Sequence, residues 1–313
     1  MASTGQRPLS VGLFLPLWEE STSGKVPAWT EVLARAQLAE AVGFDSIWLP
    51  DHLILRFPDA EPEGVWEGWT VLAALAAATK RIALGPLVAC TSFRNPALLA
   101  KMADTVDEIS GGRLILGLGA GWHEPEYRAY GFPFDHRVSR FEEALKIIHG
   151  LLRHGQIDFE GTYYSARECE LRPRGPRPEG PPIMIGSVSP RMLGLVARYA
   201  DLWNVYFSTT QNSASNIPLL HEKVDAACRD AGRDPATLGR TVAAYVDFTD
   251  TPGGTQSFNG SGAPALTGTP EEIAVGLRAY AEVGIEHVQV HVLPMTTTGI
   301  ERFAPVLEAL DRT

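Results

Sequence analysis

An acid and an imidazole stand side by side at Asp51-His52, directly after the apolar run Ser46–Leu49. Imidazoles titrate near neutrality and a carboxylate beside one favours its charged form, so such a pair can move protons. Adjacent side chains can also point apart, with Asp51 only capping a turn. A second candidate is Gly117-Leu118-Gly119-Ala120-Gly121-Trp122, followed by His123 and Glu124. It lacks the full GxGxxG spacing, so it reads less as a Rossmann dinucleotide site than as a backbone brought close to a ring or substrate. Gly186-Ser187-Val188-Ser189-Pro190 opens a helix, where free N–H groups can hold a phosphate or form a plain βα turn. His287 and His291 share one strand face by period two but have no third ligand, so they read as core or surface histidines and no metal is expected. Cys90 reads as a small buried residue more than as a nucleophile.

These residues follow the ends of short apolar runs, and that placement needs a scaffold. Strands are expected at Ser10–Leu15, Ser46–Leu49, Ile82–Val88, Leu114–Leu118, Ile183–Gly186, Leu202–Val205, Arg240–Val246 and His287–Leu293. Helical patterns follow each, at Ala28–Ala41, Glu67–Thr79, Pro96–Ile109, Ser139–Arg153, Arg191–Ala200, Ile217–Ala231, Thr269–Val283 and Gly299–Leu310. Strands alternating with helices indicate βαβ units and a parallel sheet. One-handed crossovers favour closure into a (β/α)8 TIM barrel over an open doubly wound sheet, with reactive groups at the strand C-termini. The expected organisation is a single domain over 1–313, with insertions after strands 4 and 7 at about 157–182 and 250–268. The first contains FEGTYY, which suits a small hairpin; the second is rich in Gly, Ser and Thr and is a disordered loop or a lid.

Composition bounds the partners. The 313 residues carry a formal charge of −10, which argues against nucleic acid or an anionic membrane surface. Three cysteines without a CxxC suggest neither a disulfide framework nor a zinc knuckle, and no targeting signal is evident. The chain reads as cytoplasmic and reduced.

The stretches LAEAVGFDSIWLPDH, AAATKRIALGPLVACTSFRNPALLAKMADTVDEISGGRLILGLGAGWHEPEYRAYGFPF, RFEEALKIIHGLL, FEGTYY, PPIMIGS and ARYADLWN carry a resemblance. Over roughly residues 38–204 the chain resembles the luciferase-like monooxygenases and their deazaflavin-dependent relatives. The resemblance implies a bacterial-luciferase-like (β/α)8 barrel that binds FMN or the deazaflavin coenzyme F420 and forms homodimers. WxxDH at Trp48–His52 and the GAGW…EYRAYGFPF segment look more like the F420-dependent branch. It further implies a non-proline cis peptide at Leu87–Val88, with Leu87, Val88 and Ala89 backing the ring and Gly119, Ala120, Gly121 and Trp122 beside it. Asp51 then hydrogen-bonds, His52 is catalytic with it, and Gly186 and Ser187 contact the cofactor phosphate. One departure matters: deazaflavin-dependent sugar-phosphate dehydrogenases have a Glu directly after the glycine turn, where this chain has Trp122, so their acid and their substrate are not carried over. The function expected is F420-dependent hydride transfer to or from a small organic substrate. The alternatives are an FMN-dependent monooxygenase served by a separate flavin reductase, and a non-catalytic barrel that binds the cofactor.

Overall fold

A computed structural model of the chain describes residues 7–19, 24–249 and 262–312. Its principal parallel strands are β1 (Ser10–Phe14), β2 (Ser46–Leu49), β3 (Ala83–Pro86), β4 (Leu116–Gly119), β5 (Ile183–Gly186), β6 (Leu202–Val205), β7 (Gly239–Asp247) and β8 (His287–Leu293). The helices between and after them are α1 (Trp29–Val42), α2 (Gly68–Ala78), α3 (Pro96–Ser110), α4 (Glu124–Tyr130), α5 (Arg137–His154), α6 (Pro190–Tyr199), α7 (Ile217–Asp230), α8 (Pro270–Glu282) and α9 (Thr297–Asp311). Each expected strand and helix is present within a few residues of its expected bounds. Of the expected loop or lid at 250–268, residues 250–261 lie outside the described residues.

The contacts divide the chain into two compact units. The first comprises Met1–Pro16, Trp29–Trp48 and Gly186–Thr313. In it β1 pairs in parallel with β2 through Phe14↔Trp48 and with β8 through Ser10↔His287. Strand β7 continues the order through Tyr245↔His291, and β6 joins through Val205↔Val242. Val242, Val288 and Val290 are fully buried, and near-continuous apolar strands of this kind belong to a parallel sheet covered on both faces. Asn204 Nδ2 in this interior donates to Thr241 Oγ1 and to Gln289 Oε1, both at 2.8 Å.

The second unit comprises Leu17–Ala28 and Leu49–Ile185. Strand β4 lies between β5, through Ile185↔Leu118, and the short extension Ala89–Cys90, through Cys90↔Gly119. Helix α3 starts where Asn95 accepts from the Ala97 and Leu98 N–H groups ahead of Pro96, as its boundary residues suggest. The first insertion is an antiparallel hairpin, Gln156–Glu160 against Ser165–Glu170, as FEGTYY suggests. The antiparallel pair Ile54–Leu55 and Glu63–Gly64 escaped the sequence pattern, as did α4 and, in the first unit, the single turn Phe207–Thr210. The seven residues of α4, EPEYRAY, are short and mostly polar, and left-handed Gly131 (φ 76°) stops them.

Candidate active site

The site in the second unit is built on the segment that leaves β2. Leu49 O accepts from Leu87 N–H at 2.8 Å, and Asp51 Oδ2 accepts from Cys90 N–H at 2.8 Å. The step between Leu87 and Val88 is therefore stitched at both ends to the residues that precede His52. The Leu87–Val88 bond is cis, as the resemblance implies, and both side chains are half-buried. Asp51 is 4% exposed, and its carboxylate also meets Arg94, with Nη1 on Oδ2 at 2.7 Å and Nη2 on Oδ1 at 2.8 Å. Burial pushes this carboxyl up; the guanidinium fork and the Cys90 N–H oppose that by holding the ionised form. Arg94 Nη2 reaches Glu67 Oε1 as well, at 2.6 Å. Asp51, expected as part of the catalytic pair, thus holds both the Cys90 N–H and the Arg94 guanidinium.

His52 points elsewhere. Its Nδ1 lies 2.7 Å from Glu126 Oε1, while Glu126 Oε2 accepts from Leu53 N–H at 2.6 Å. With the Glu126 carboxylate as acceptor, the imidazole donates through Nδ1 and keeps Nε2 for another partner. Glu126 is 1% exposed, whereas the His52 side chain is 19% exposed, which gives a buried carboxylate behind an accessible ring. The sequence reading missed Glu126, which reaches the site from α4 and lies 74 residues from His52. The adjacent Asp51 had been the evident partner.

The glycine turn after β4 is shaped by the protein itself. A Cβ on Gly119 would lie 2.7 Å from Val88 Cγ2, so any side chain there would have to displace Val88. At Gly121 (φ +75°) a Cβ would lie 1.9 Å from the Tyr127 hydroxyl and 2.7 Å from Cys90 Sγ. Tyr127 donates to Ala120 O at 2.9 Å and sits 3.0 Å from Cys90 Sγ, and burial pushes the Cys90 thiol up to about 12, as befits a packing residue. Protein atoms thus crowd the Cα positions of Gly119 and Gly121, with Ala120 and Gly121 half-buried at the end of the turn.

Aromatic rings surround His52. Trp122 lies edge-on at 5.7 Å between centroids, Trp18 at 6.5 Å and His123 at 6.4 Å. His123 Nε2 accepts from the Arg56 backbone N–H at 3.0 Å, and burial lowers the affinity of this imidazole for a second proton. The expected site residues Asp51, His52, Leu87, Val88, Ala89, Gly119, Ala120, Gly121 and Trp122 all belong to this second unit, with Ala89 buried in the strand extension. Gly186 and Ser187 belong to the first unit, where Ser187 O accepts from Trp203 Nε1 at 2.7 Å. His287 and His291 are buried in β8 of that unit, in keeping with a core reading.

The family model for luciferase-like monooxygenases matches residues 9–253, and the chain belongs to that family. It is an α/β protein of the family's TIM-barrel class, in the superfamily of luciferase-like oxidoreductases. A phthiodiolone/phenolphthiodiolone dimycocerosates ketoreductase of Mycobacterium sp. (strain JLS) is 33% identical over 239 residues, 69% of this chain and 61% of the relative. The chain spans about six tenths of the length of the curated relatives it matches. An F420-dependent secondary alcohol dehydrogenase, solved with an F420–acetone adduct, superposes with a TM-score of 0.79 at 21% identity, over 96% of this chain and 99% of the other. The oxygenating constituent of 3,6-diketocamphane monooxygenase from Pseudomonas putida, a type II Baeyer–Villiger enzyme solved with FMN, gives 0.73 at 19% identity, over 97% of each chain. No helix among the described residues is long and apolar enough to cross a membrane.

Proposed function

We propose that the chain is an F420-dependent oxidoreductase that moves hydride between the deazaflavin and a small organic substrate, with His52 as the proton-handling residue. The observation that carries this reading is the 2.7 Å contact between His52 Nδ1 and the buried Glu126 carboxylate. It fixes the ring with Nε2 available, and Nε2 gives a proton to a carbonyl oxygen in one direction or takes one from an alcohol in the other. Glu126 orients the imidazole and balances its charge when Nε2 is protonated. Asp51, pinned by Arg94, holds the main chain on which His52 and the Leu87–Val88 step are both set.

The residues present fit a flavin-type ring. Leu87 and Val88 form a half-buried apolar step, and the Gly119–Gly121 backbone next to it carries no side chain larger than the Ala120 methyl. When bound, the deazaflavin supplies or accepts the hydride, which is chemistry that side chains cannot perform. Leu87, Val88, Gly119, Ala120, Gly121 and Trp122 would hold the ring. The WxxDH and GAGW motifs support F420 over FMN.

Titration of the purified chain with F420 and, separately, FMN tests the reading through tryptophan fluorescence, because Trp122 is half-exposed at the proposed ring site. Saturable quenching by F420 alone is expected. Preference for FMN, with oxygen uptake coupled to substrate oxidation, would replace the reading by a reductase-served monooxygenase. Cofactor binding without turnover across a broad substrate panel would leave a non-catalytic barrel.

A further inference from the structure

The segment that follows His52 is fastened to the α4 region at two points. The first is Glu126, whose Oε1 meets His52 Nδ1 at 2.7 Å and whose Oε2 accepts from Leu53 N–H at 2.6 Å. The second is His123, immediately ahead of α4, whose Nε2 accepts from Arg56 N–H at 3.0 Å. Between the two, Ile54 pairs with Gly64 and Leu55 with Glu63, so residues 52–56 form a strap that continues into a short two-stranded sheet. His123 is 5% exposed, and its ring packs on Trp122 at 4.9 Å and on Phe57 at 5.3 Å between centroids.

The two fastenings answer acid in opposite ways. A second proton on His52 puts a charge on the donor that faces Glu126 and strengthens that contact. A second proton on His123 takes the Nε2 lone pair, and an imidazolium has no acceptor to offer the Arg56 N–H. Two donors then oppose each other where a hydrogen bond had been. Burial is the largest influence on His123 and lowers its proton affinity; Glu126, in the first turn of α4, raises it, and His52, at 6.4 Å between ring centroids, lowers it. Glu124 beside His123 and Arg56 on the strap are exposed residues. The ring therefore keeps its acceptor form at neutral pH.

We propose that His123 is a positioning residue: its neutral ring closes the strap and so sets the main chain of His52 and Leu53 against Glu126, and acid opens the strap through His123. In treating the strap as part of a proton-handling site, the inference rests on the role proposed for His52; the opening itself does not depend on the cofactor.

Backbone hydrogen exchange of the full chain without added F420, read by mass spectrometry over residues 52–57 and corrected for intrinsic rates, tests this. Protection is expected to hold steady above pH 7 and to fall at least about threefold between pH 7 and pH 5, because the open strap takes a proton below about pH 6.5 that the closed strap resists. His123→Gln places an amide oxygen that does not titrate at the reach of Nε2; it should stay within about threefold of the parent at pH 7 and lose the pH dependence. His123→Phe keeps a ring but no acceptor and should lose about fivefold in protection already at pH 7. In His52→Asn, whose amide can still donate to Glu126, the acid release should persist. Level protection from pH 7 to pH 5 would overturn the proposal, as would an acid release that survives in His123→Gln or vanishes in His52→Asn, or a folded His123→Phe chain with the protection of the parent. A chain that shows the release but takes no F420 would uphold this inference while refuting the cofactor assignment, and level protection in a chain that binds F420 would do the reverse.

Discussion

His52 in one unit and His287 with His291 in the other are imidazoles near strand ends put to opposite uses. His52 keeps 19% of its side chain open and has a buried carboxylate at 2.7 Å. His287 is 6% exposed and faces the Ser46 hydroxyl at 2.7 Å, and His291, fully buried, stacks on Phe14 at 4.1 Å. Burial lowers His287 to about 4 and His291 to about 3, so both stay neutral and act as packing groups. A titratable ring does proton work when it is reached from outside, and it becomes core when it is sealed from solvent. The carboxylates repeat the contrast: Asp51 is answered by Arg94 and serves as an anchor, while Glu126 is answered by the side chain it directs.

The sharpest way to break this contrast is to exchange the two kinds of histidine. His52→Ala should lower turnover by about 10²–10⁴-fold and leave F420 affinity almost unchanged, as read by steady-state kinetics and fluorescence titration. His287→Ala should instead lower the thermal midpoint of the protein. Loss of F420 binding in His52→Ala would make that residue a cofactor contact.

Next in size is the anchor. Arg94→Ala leaves the Asp51 carboxylate buried without its guanidinium, and unfolding in urea should show a loss of about 3–5 kcal/mol. A change under 1 kcal/mol on the same scale would show the carboxylate to be neutral or hydrated and the anchor dispensable.

The buried histidines give a pH signature. Their folded-state affinity for protons is depressed, so the unfolded chain binds protons that the folded chain does not, and stability must fall as pH drops below about 6.5. For His287 the loss runs from there toward pH about 4, and for His291 toward about 3. Each should contribute about 2 kcal/mol of loss by pH 5. Denaturant midpoints at pH 7 and 5 read it, and His287→Gln should flatten the curve; an unaltered slope would remove His287 from the account.

The smallest expected effect lies at the turn. Gly121→Ala sets a methyl against the Tyr127 hydroxyl at a positive φ and should cost about 1–3 kcal/mol, measurable by thermal unfolding. A neutral result would mean that Tyr127 can swing away from Cys90 at no cost.

The parallel strands were legible because each is a short apolar run bounded by Gly, Pro or charge, and the helices because Asn95-Pro96 and Thr269-Pro270-Glu271-Glu272 mark their starts with real caps. The Asp51-His52 pair could be found for the same local reason, since it follows a strand directly. Its partners could not. Glu126 and Arg94 meet their targets across 74 and 43 residues, and a lone Glu or Arg in a polar stretch carries no signal of what it will face once folded. The glycines of 117–121 mark a close approach already in the sequence, and the packing adds that Val88 and Tyr127 crowd this backbone.

The central claim is that Glu126 holds the His52 ring with a proton on Nδ1 and Nε2 available. ¹⁵N NMR of histidine-labelled protein reads that state directly, with His52→Gln identifying the signal. The account predicts that neutral His52 carries its proton on Nδ1, and that Glu126→Gln shifts the population toward the Nε2–H form. A neutral ring protonated on Nε2 in the parent, or one unaffected by Glu126→Gln, would contradict it.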